Sequence, residues 1–308
     1  MRFVWLGVLS GLAAAFFSSL SYLISRHYGL QQDPRQTGSA ALRLLVCSHV
    51  LMGSVCLPLA WALWPKEMEV PVLALWPLMS SMTFYLLGQA CLFMALKQVN
   101  ASLVSPLLGL KVLLLASIVS LFMEHSLDAQ QWFAVCLSAV AAMALRSSGS
   151  PVPAGPMALI LLTCLSFSIA DLCIVELIDA LSIGWSISRV HAGAIAMAIT
   201  YTLCGIVALP LLVVFGSWRR SNWLAATHYS GAWLLSMVSL YVCFALIGAV
   251  FGNVLQSTRG VVSVVLGALL AQTQWHELEQ HVDRETLVRR LVAAILMTGA
   301  IATYAIDR

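Results

Sequence analysis

Long apolar runs alternate with short polar segments along the chain, and most runs are as long as a bilayer is thick. A helix needs about 20 mainly apolar residues to cross the hydrocarbon core. Proline and glycine break the pattern near its midpoint, at residues 151–156. Ten spans are predicted: 3–24, 40–64, 72–96, 102–123 and 131–145 before the break, and 157–181, 189–215, 233–250, 253–271 and 287–306 after it. The pattern indicates an all-α membrane protein.

The two halves resemble each other in detail. Arg43 and Arg189 lie at the starts of the second spans, and Lys111 and Arg259 are the lone charged residues of the fourth spans. The offset between these pairs is 146 and then 148 residues, so the alignment needs a gap. Because five spans is an odd number, the halves must insert in opposite orientations. We predict two inverted five-helix repeats, residues 1–146 and 157–308, joined by a linker at 147–156.

Composition excludes a soluble domain. The chain is 61% hydrophobic and 9% charged, whereas ordinary globular proteins carry about 25% charged residues. A scattered net charge of +3 argues against a nucleic-acid partner. All eight cysteines lie in apolar runs without a C-x-x-C pair, which is typical of small buried side chains. We therefore expect neither a metal nor another cofactor.

The first apolar run has a competing interpretation as a signal peptide. Arg2 precedes it, and the alanines at 13–15 could form a cleavage site. The run continues past those alanines for a full span, and this favours a retained helix.

Lys111 and Arg259 are the strongest pointers to a site. A cation at membrane depth costs about 3 kcal/mol, so each needs a partner, a water-filled cavity or an anionic ligand. Asp171 lies near the middle of the sixth span and could pair with either. One hypothesis is an anion site with Asp171 as counter-ion or proton carrier; the other is an ion pair that only fixes helix packing. Two cations against one central acid favour a bound anion.

Other polar residues could line the same cavity. Gln89 and Gln256 are amides at or near membrane depth, where a lipid-facing amide is costly. Tyr22, Tyr85 and Tyr241 could stack on a ligand or hydrogen-bond to it. We predict these five as substrate-binding residues beside the three charged ones.

Catalytic motifs are absent from the sequence. His276 and His281 resemble a zinc-protease motif but are five residues apart, whereas the metal requires a spacing of four. The surrounding charged segment, 275–290, is expected to lie at the membrane surface. There is also no phosphate-binding loop and no nucleophile elbow, so we do not expect an enzyme.

These features together resemble the drug/metabolite transporter superfamily, specifically its ten-helix EamA-like permeases. The resemblance rests on Arg43, Arg189, the segments 95–124 and 245–277, and the five-plus-five layout. It implies a helical basket in which the first four spans of each half line a central cavity. It also implies alternating access without ATP hydrolysis in a bacterial inner membrane. Branches that carry phosphorylated metabolites use cations on the fourth and ninth helices, as Lys111 and Arg259 would. The segment 275–290 has no counterpart in the first half.

Two arguments predict opposite orientations of the chain in the membrane. The resemblance implies a cytoplasmic amino terminus, which would place four lysines and arginines on the cytoplasmic side and ten on the other. The positive-inside rule favours the reverse.

We expect a secondary transporter that exports or exchanges a small polar anion, as a monomer or weak homodimer in the bilayer. The main alternative is proton-coupled efflux of amino acids or cationic drugs through Asp171. A membrane scaffold or enzyme is a remote third hypothesis.

Overall fold

Nine helices make up most of the described part of the chain. The computed structural model describes residues 2–30, 37–66, 69–96, 98, 107–122, 127–144, 153–215 and 220–262, with the single positions 266, 292, 296 and 299. The helices are α1 (Arg2–Leu30), α2 (Thr37–Leu63), α3 (Val72–Leu96), α4 (Lys111–Phe122, entered through a 3-10 turn at Leu108–Leu110), α5 (Ala129–Ala144), α6 (Ala154–Gly184), α7 (Arg189–Phe215), α8 (Arg220–Ile247) and α9 (Ala249–Ser257).

Six of these helices, α1–α3 and α6–α8, are long and apolar enough to cross a membrane. Large apolar side chains such as Trp61, Leu73 and Val213 are more than four-fifths exposed. A surface of this kind is stable in lipid but not in water. The chain is therefore a multi-pass, all-helical membrane protein. Most of the predicted tenth span, the segment 275–290 and most of the linker lie outside the described residues.

The eighth helix is longer than its hydropathy predicts. It begins at Arg220, whereas the apolar run begins at position 233. Its first turns carry Asn222 and Ser230, which are buried against other helices rather than exposed in a loop. The break also lies earlier than the predicted one between the spans 233–250 and 253–271, because Gly248 alone separates α8 from α9. Gly248 has a φ of 81°, a conformation that side chains disfavour, so one residue is enough to break the helix.

Three antiparallel helix pairs, α1–α8, α2–α7 and α3–α6, make the most extensive contacts. Each pair joins the first half of the chain to the second. In α2–α7 the backbones meet at Gly53 and Gly205, where a Cβ on Gly53 would lie 2.7 Å from the Gly205 Cα. We call the end where α1 begins the near end and the end where α1 finishes the far end. Odd-numbered helices run from near to far, and even-numbered helices run back.

Candidate functional site

A partly open cavity lies between the halves. Helices α1, α3, α6, α7, α8 and α9 line it together with α4 and its 3-10 turn. Among the described helices, α2 and α5 contribute no lining residue. The cavity has apolar walls with a few polar groups directed into it, which is the usual composition of a small-molecule site.

Lys111 is neutralised within this cavity. Its Nζ lies 2.5 Å from Oδ2 of Asp171, and both side chains are largely buried. The Asn253 amide donates to the same carboxylate oxygen at 2.6 Å and to the Ala249 carbonyl at 2.9 Å. The Lys111 ammonium also lies 5.6 Å from the Phe167 ring centre. The Asp171 carboxylate thus ties α6 to both α4 and α9.

Arg259 has no such carboxylate among the residues that the structure describes. Its guanidinium lies 5.9 Å from the centre of the Tyr22 ring, on α1. A neutral ring attracts a cation by about 0.5–2 kcal/mol but cannot cancel its charge. Within the described cavity lining, the two cations and the single acid Asp171 leave one positive charge uncompensated.

The two cations are nevertheless held by matching backbone contacts. Ser168 on α6 donates to the Cys164 carbonyl at 2.8 Å and to the Lys111 carbonyl at 3.3 Å. Ser19 on α1 donates to the Ala15 carbonyl at 2.8 Å and to the Arg259 carbonyl at 2.9 Å. In each case a serine on the first helix of one half holds the cation-bearing segment of the other half.

Asp171 beside Lys111 and Tyr22 beside Arg259 hold equivalent positions in these two arrangements. Each of them lies three residues beyond its serine, Ser168 or Ser19, and each faces the cation of that arrangement. The carboxylate on α6 is therefore replaced by a phenol ring on α1.

Gln256 adds a polar group one helical turn before Arg259. Its side chain is buried, and its Oε1 has no hydrogen-bond partner. A buried acceptor without a partner costs about 1–3 kcal/mol. A ligand that donates a hydrogen bond here would remove that cost.

Aromatic rings form much of the remaining wall. Trp233 donates from Nε1 to the Tyr201 hydroxyl at 2.9 Å, and the Tyr85 and Tyr201 ring centres are 5.6 Å apart. His49 on α2 lies behind this wall, with its Nε2 3.2 Å from the Tyr85 hydroxyl. Hydrogen bonding and ring packing make this side of the cavity rigid.

Most of the predicted site residues meet at this cavity. Seven of the eight line it: Lys111, Arg259, Asp171, Gln256, Tyr22, Tyr85 and Tyr241. Gln89 does not line it. It is buried one turn beyond Tyr85 on α3, and its role in the site stays a prediction.

Several lining residues were not predicted from the sequence, among them Asn253, Phe167, Tyr201 and Trp233. Asn253 is a polar residue at the start of the predicted span 253–271, where it gives no clear signal of a site. The aromatic residues carry no comparable signal, because rings face lipid as often as they face a cavity. Among the described residues, no group of three or more histidines, cysteines and acidic residues could hold a metal ion.

Comparison with solved structures supports the helical architecture. Twenty-eight solved chains match. One of them, described only as a crystal structure of a protein, superposes with a TM-score of 0.67 at 14% identity. The match covers 97% of this chain and 96% of the other, and at this identity it shows the fold alone. No curated protein sequence matches.

The family comparison is more specific. Residues 5–147 match the EamA-like transporter family. Proteins of that family are membrane transporters and not enzymes, in keeping with the apolar helices and the central cavity. Residues 5–147, slightly less than half of the chain, are thus similar to a family of membrane transporters.

Proposed function

We propose that this transporter carries a small anion through the cavity between its halves, and that Arg259 is the residue that binds the anionic group. The observation that carries the proposal is the contrast between the cations. Lys111 is neutralised by Asp171, whereas Arg259 faces only the Tyr22 ring among the described residues. An anion at about 4 Å from a charge of this kind gains about 4 kcal/mol at an effective dielectric constant of about 20.

Gln256 supports the proposal that the substrate also carries a hydrogen-bond donor. Its unpartnered Oε1 lies on α9, three residues before Arg259, and both residues line the cavity, so one ligand can reach both. An anion that also carries a hydroxyl or amino group would donate to this oxygen. The proposed substrate is therefore a polar anion with at least one hydrogen-bond donor.

We further propose that the halves are inverted repeats. A two-fold axis that exchanges α1 with α6, and α3 with α8, would exchange the α1–α8 pair with the α3–α6 pair. It would also bring α2 onto α7. The matching contacts of Ser19 and Ser168 support this relation at atomic detail. In such transporters the halves rock around a fixed central site, and no ATP is hydrolysed.

Asp171 supplies a route to proton coupling within this proposal. Its carboxylate lies between Lys111 and Asn253. Protonation of Asp171 would remove its negative charge. Lys111 would then be a second cation that attracts the anionic substrate. The alternative, a cationic substrate bound by Asp171, is less well supported, because two donors already occupy one oxygen of that carboxylate.

Uptake into proteoliposomes tests the proposal. Labelled dicarboxylates and sugar phosphates would be compared with labelled choline and putrescine, with and without a pH gradient. We expect uptake or exchange of anions only. Arg259→Gln should lower that uptake about 100-fold, since losing an interaction of about 3 kcal/mol corresponds to that factor.

Arg189→Gln is the matched control, because it removes the same charge from a half-exposed ion pair with Asp179 at the near end. It should change uptake less than threefold. Uptake of cations alone, or equal losses in the two variants, would overturn the proposal.

A further inference from the structure

A second group of polar side chains lies at the far end of the bundle, outside the cavity. It consists of Tyr28 on α1, Arg43 on α2 and Asn222 on α8. Tyr28 and Asn222 are 4% and 5% exposed, so both are buried despite their position near the helix ends. None of the three lines the central cavity. The transport proposal assigns them no role.

The hydrogen bonds of this cluster leave two donors free. The Tyr28 hydroxyl donates to Oδ1 of Asn222 at 2.9 Å, which fixes the orientation of the amide. The Asn222 Nδ2 is then directed away from Tyr28, and it is buried without a partner. Arg43 also hydrogen-bonds to the Tyr28 hydroxyl, while its own Nε is buried without a partner.

Two such donors in one network are unusual. A buried donor without an acceptor costs about 1–3 kcal/mol, and native structures contain few of them. Here both donors belong to side chains that hydrogen-bond to the same Tyr28 hydroxyl, so one acceptor group with several oxygens could satisfy both. Because Arg43 is a cation, that acceptor forms the stronger bond if it is negatively charged.

The far end is also electropositive in the part of the chain that the structure describes. Glu69, Asp128, Glu176 and Asp179 lie at or toward the near end, and Asp171 lies at the cavity. No described carboxylate lies at the far end. The helices α2 and α8, which carry Arg43 and Asn222, both begin at this end, and a helix start carries a partial positive charge.

We propose that Arg43 and Asn222 form an oxyanion-binding site at the far end of the bundle, separate from the transport cavity. A phosphate or carboxylate group accepts hydrogen bonds from Arg43 Nε and Asn222 Nδ2, and Tyr28 holds the two donors in place. The oxyanion comes either from a lipid headgroup or from solution. Interhelical bonds from Ser230 to the Ser48 carbonyl, at 3.1 Å, and from Ser236 to the Ala14 carbonyl, at 2.8 Å, keep α8 fixed beside α2 and α1.

The test uses the full chain in detergent and labelled inorganic phosphate as the probe. Equilibrium dialysis would be performed on the Arg259→Gln variant, so that the cavity does not contribute. We expect phosphate binding to remain and to fall at least tenfold on adding Arg43→Gln or Asn222→Asp. The aspartate keeps the acceptor for Tyr28 but replaces the amide donor with a negative charge. Arg220→Gln removes an exposed cation from the same end and should change binding less than twofold.

Native mass spectrometry separates the two sources. Protein reconstituted with phosphatidylglycerol, or with phosphatidylcholine alone, would be examined for retained lipid. Lipid lost specifically in Arg43→Gln identifies a headgroup as the source, and phosphate bound without lipid identifies free anion. The proposal is overturned if neither probe binds, as for a site that holds only water, or if Arg220→Gln weakens binding as much as Arg43→Gln. If Asn222→Asp does not fold, Arg43→Lys, which keeps the charge and removes Nε, is expected to show the loss.

Discussion

The surroundings of Lys111 and Arg259 match in backbone and differ in charge. A serine from the other half donates to the carbonyl of each cation, at 3.3 and 2.9 Å. Three residues after the serine beside Lys111, the chain carries Asp171, whose carboxylate pairs with Lys111. Three residues after the serine beside Arg259, it carries Tyr22, whose neutral ring lies beside Arg259. One difference between two otherwise matching arrangements thus separates a neutral cluster from a charged one. Its lesson is that matching backbone contacts can supply the scaffold while a single position sets the charge of the site.

The comparison is tested most severely by removing Asp171. Asp171→Ala leaves Lys111 buried without its partner, and we expect the free energy of unfolding to fall by about 3 kcal/mol. Arg259→Leu removes a cation that has no carboxylate partner among the described residues, so it should change this quantity by less than about 1 kcal/mol. Reversible unfolding in mixed detergent micelles would measure both.

The double variant Lys111→Met/Asp171→Leu serves as the control for that experiment. It removes both charges together, so most of the lost stability should return. A double variant as unstable as Asp171→Ala would contradict the interpretation of the pair as a compensated charge.

A smaller effect is expected from Gln256. Gln256→Leu removes the unpartnered oxygen beside Arg259 and keeps similar bulk. We expect the affinity for the transported anion to fall about tenfold, as for one lost hydrogen bond of about 1.4 kcal/mol, with folding unaffected. Competition by unlabelled substrate in proteoliposomes measures this. An unchanged affinity would show that the substrate does not reach Gln256.

The smallest effect on stability is expected from the two serines that donate to the carbonyls of Lys111 and Arg259. Ser19→Ala and Ser168→Ala each remove one interhelical hydrogen bond, and such bonds contribute about 0.6 kcal/mol in membrane proteins. Both variants should therefore be destabilised by similar small amounts. Thermal unfolding of the two purified variants would show this. A large loss in one and none in the other would mean that the matching geometry does not reflect matching roles.

Hydropathy predicted the long helices well and their polar ends poorly. The bounds of α3 and α7 agree with the predicted spans, because charged or proline-containing segments flank those apolar runs. The start of α8 was missed because Asn222, Tyr229 and Ser230 lower the local hydropathy. Their burial against α1 and α2 depends on tertiary packing, which a window average along one segment does not detect.

The site was predictable as far as its charged residues. A charge inside an apolar run is costly wherever it lies, so Lys111, Asp171 and Arg259 were identified without a structure. Which cation Asp171 would neutralise was not predictable, because that depends on how α4, α6 and α9 pack. Gln89 stays a prediction, since it is buried on α3 but does not line the described cavity.

The central claim is that the missing negative charge beside Arg259 makes the cavity an anion site. Tyr22→Asp places a carboxylate at the position that corresponds to Asp171, and Tyr22→Asn changes the same side chain without adding charge. Anion affinity in proteoliposomes, measured for both variants, tests the claim most directly. We predict a loss of at least about 30-fold in Tyr22→Asp relative to Tyr22→Asn, or about 2 kcal/mol of anion binding. Equal affinities in the two variants would contradict the account.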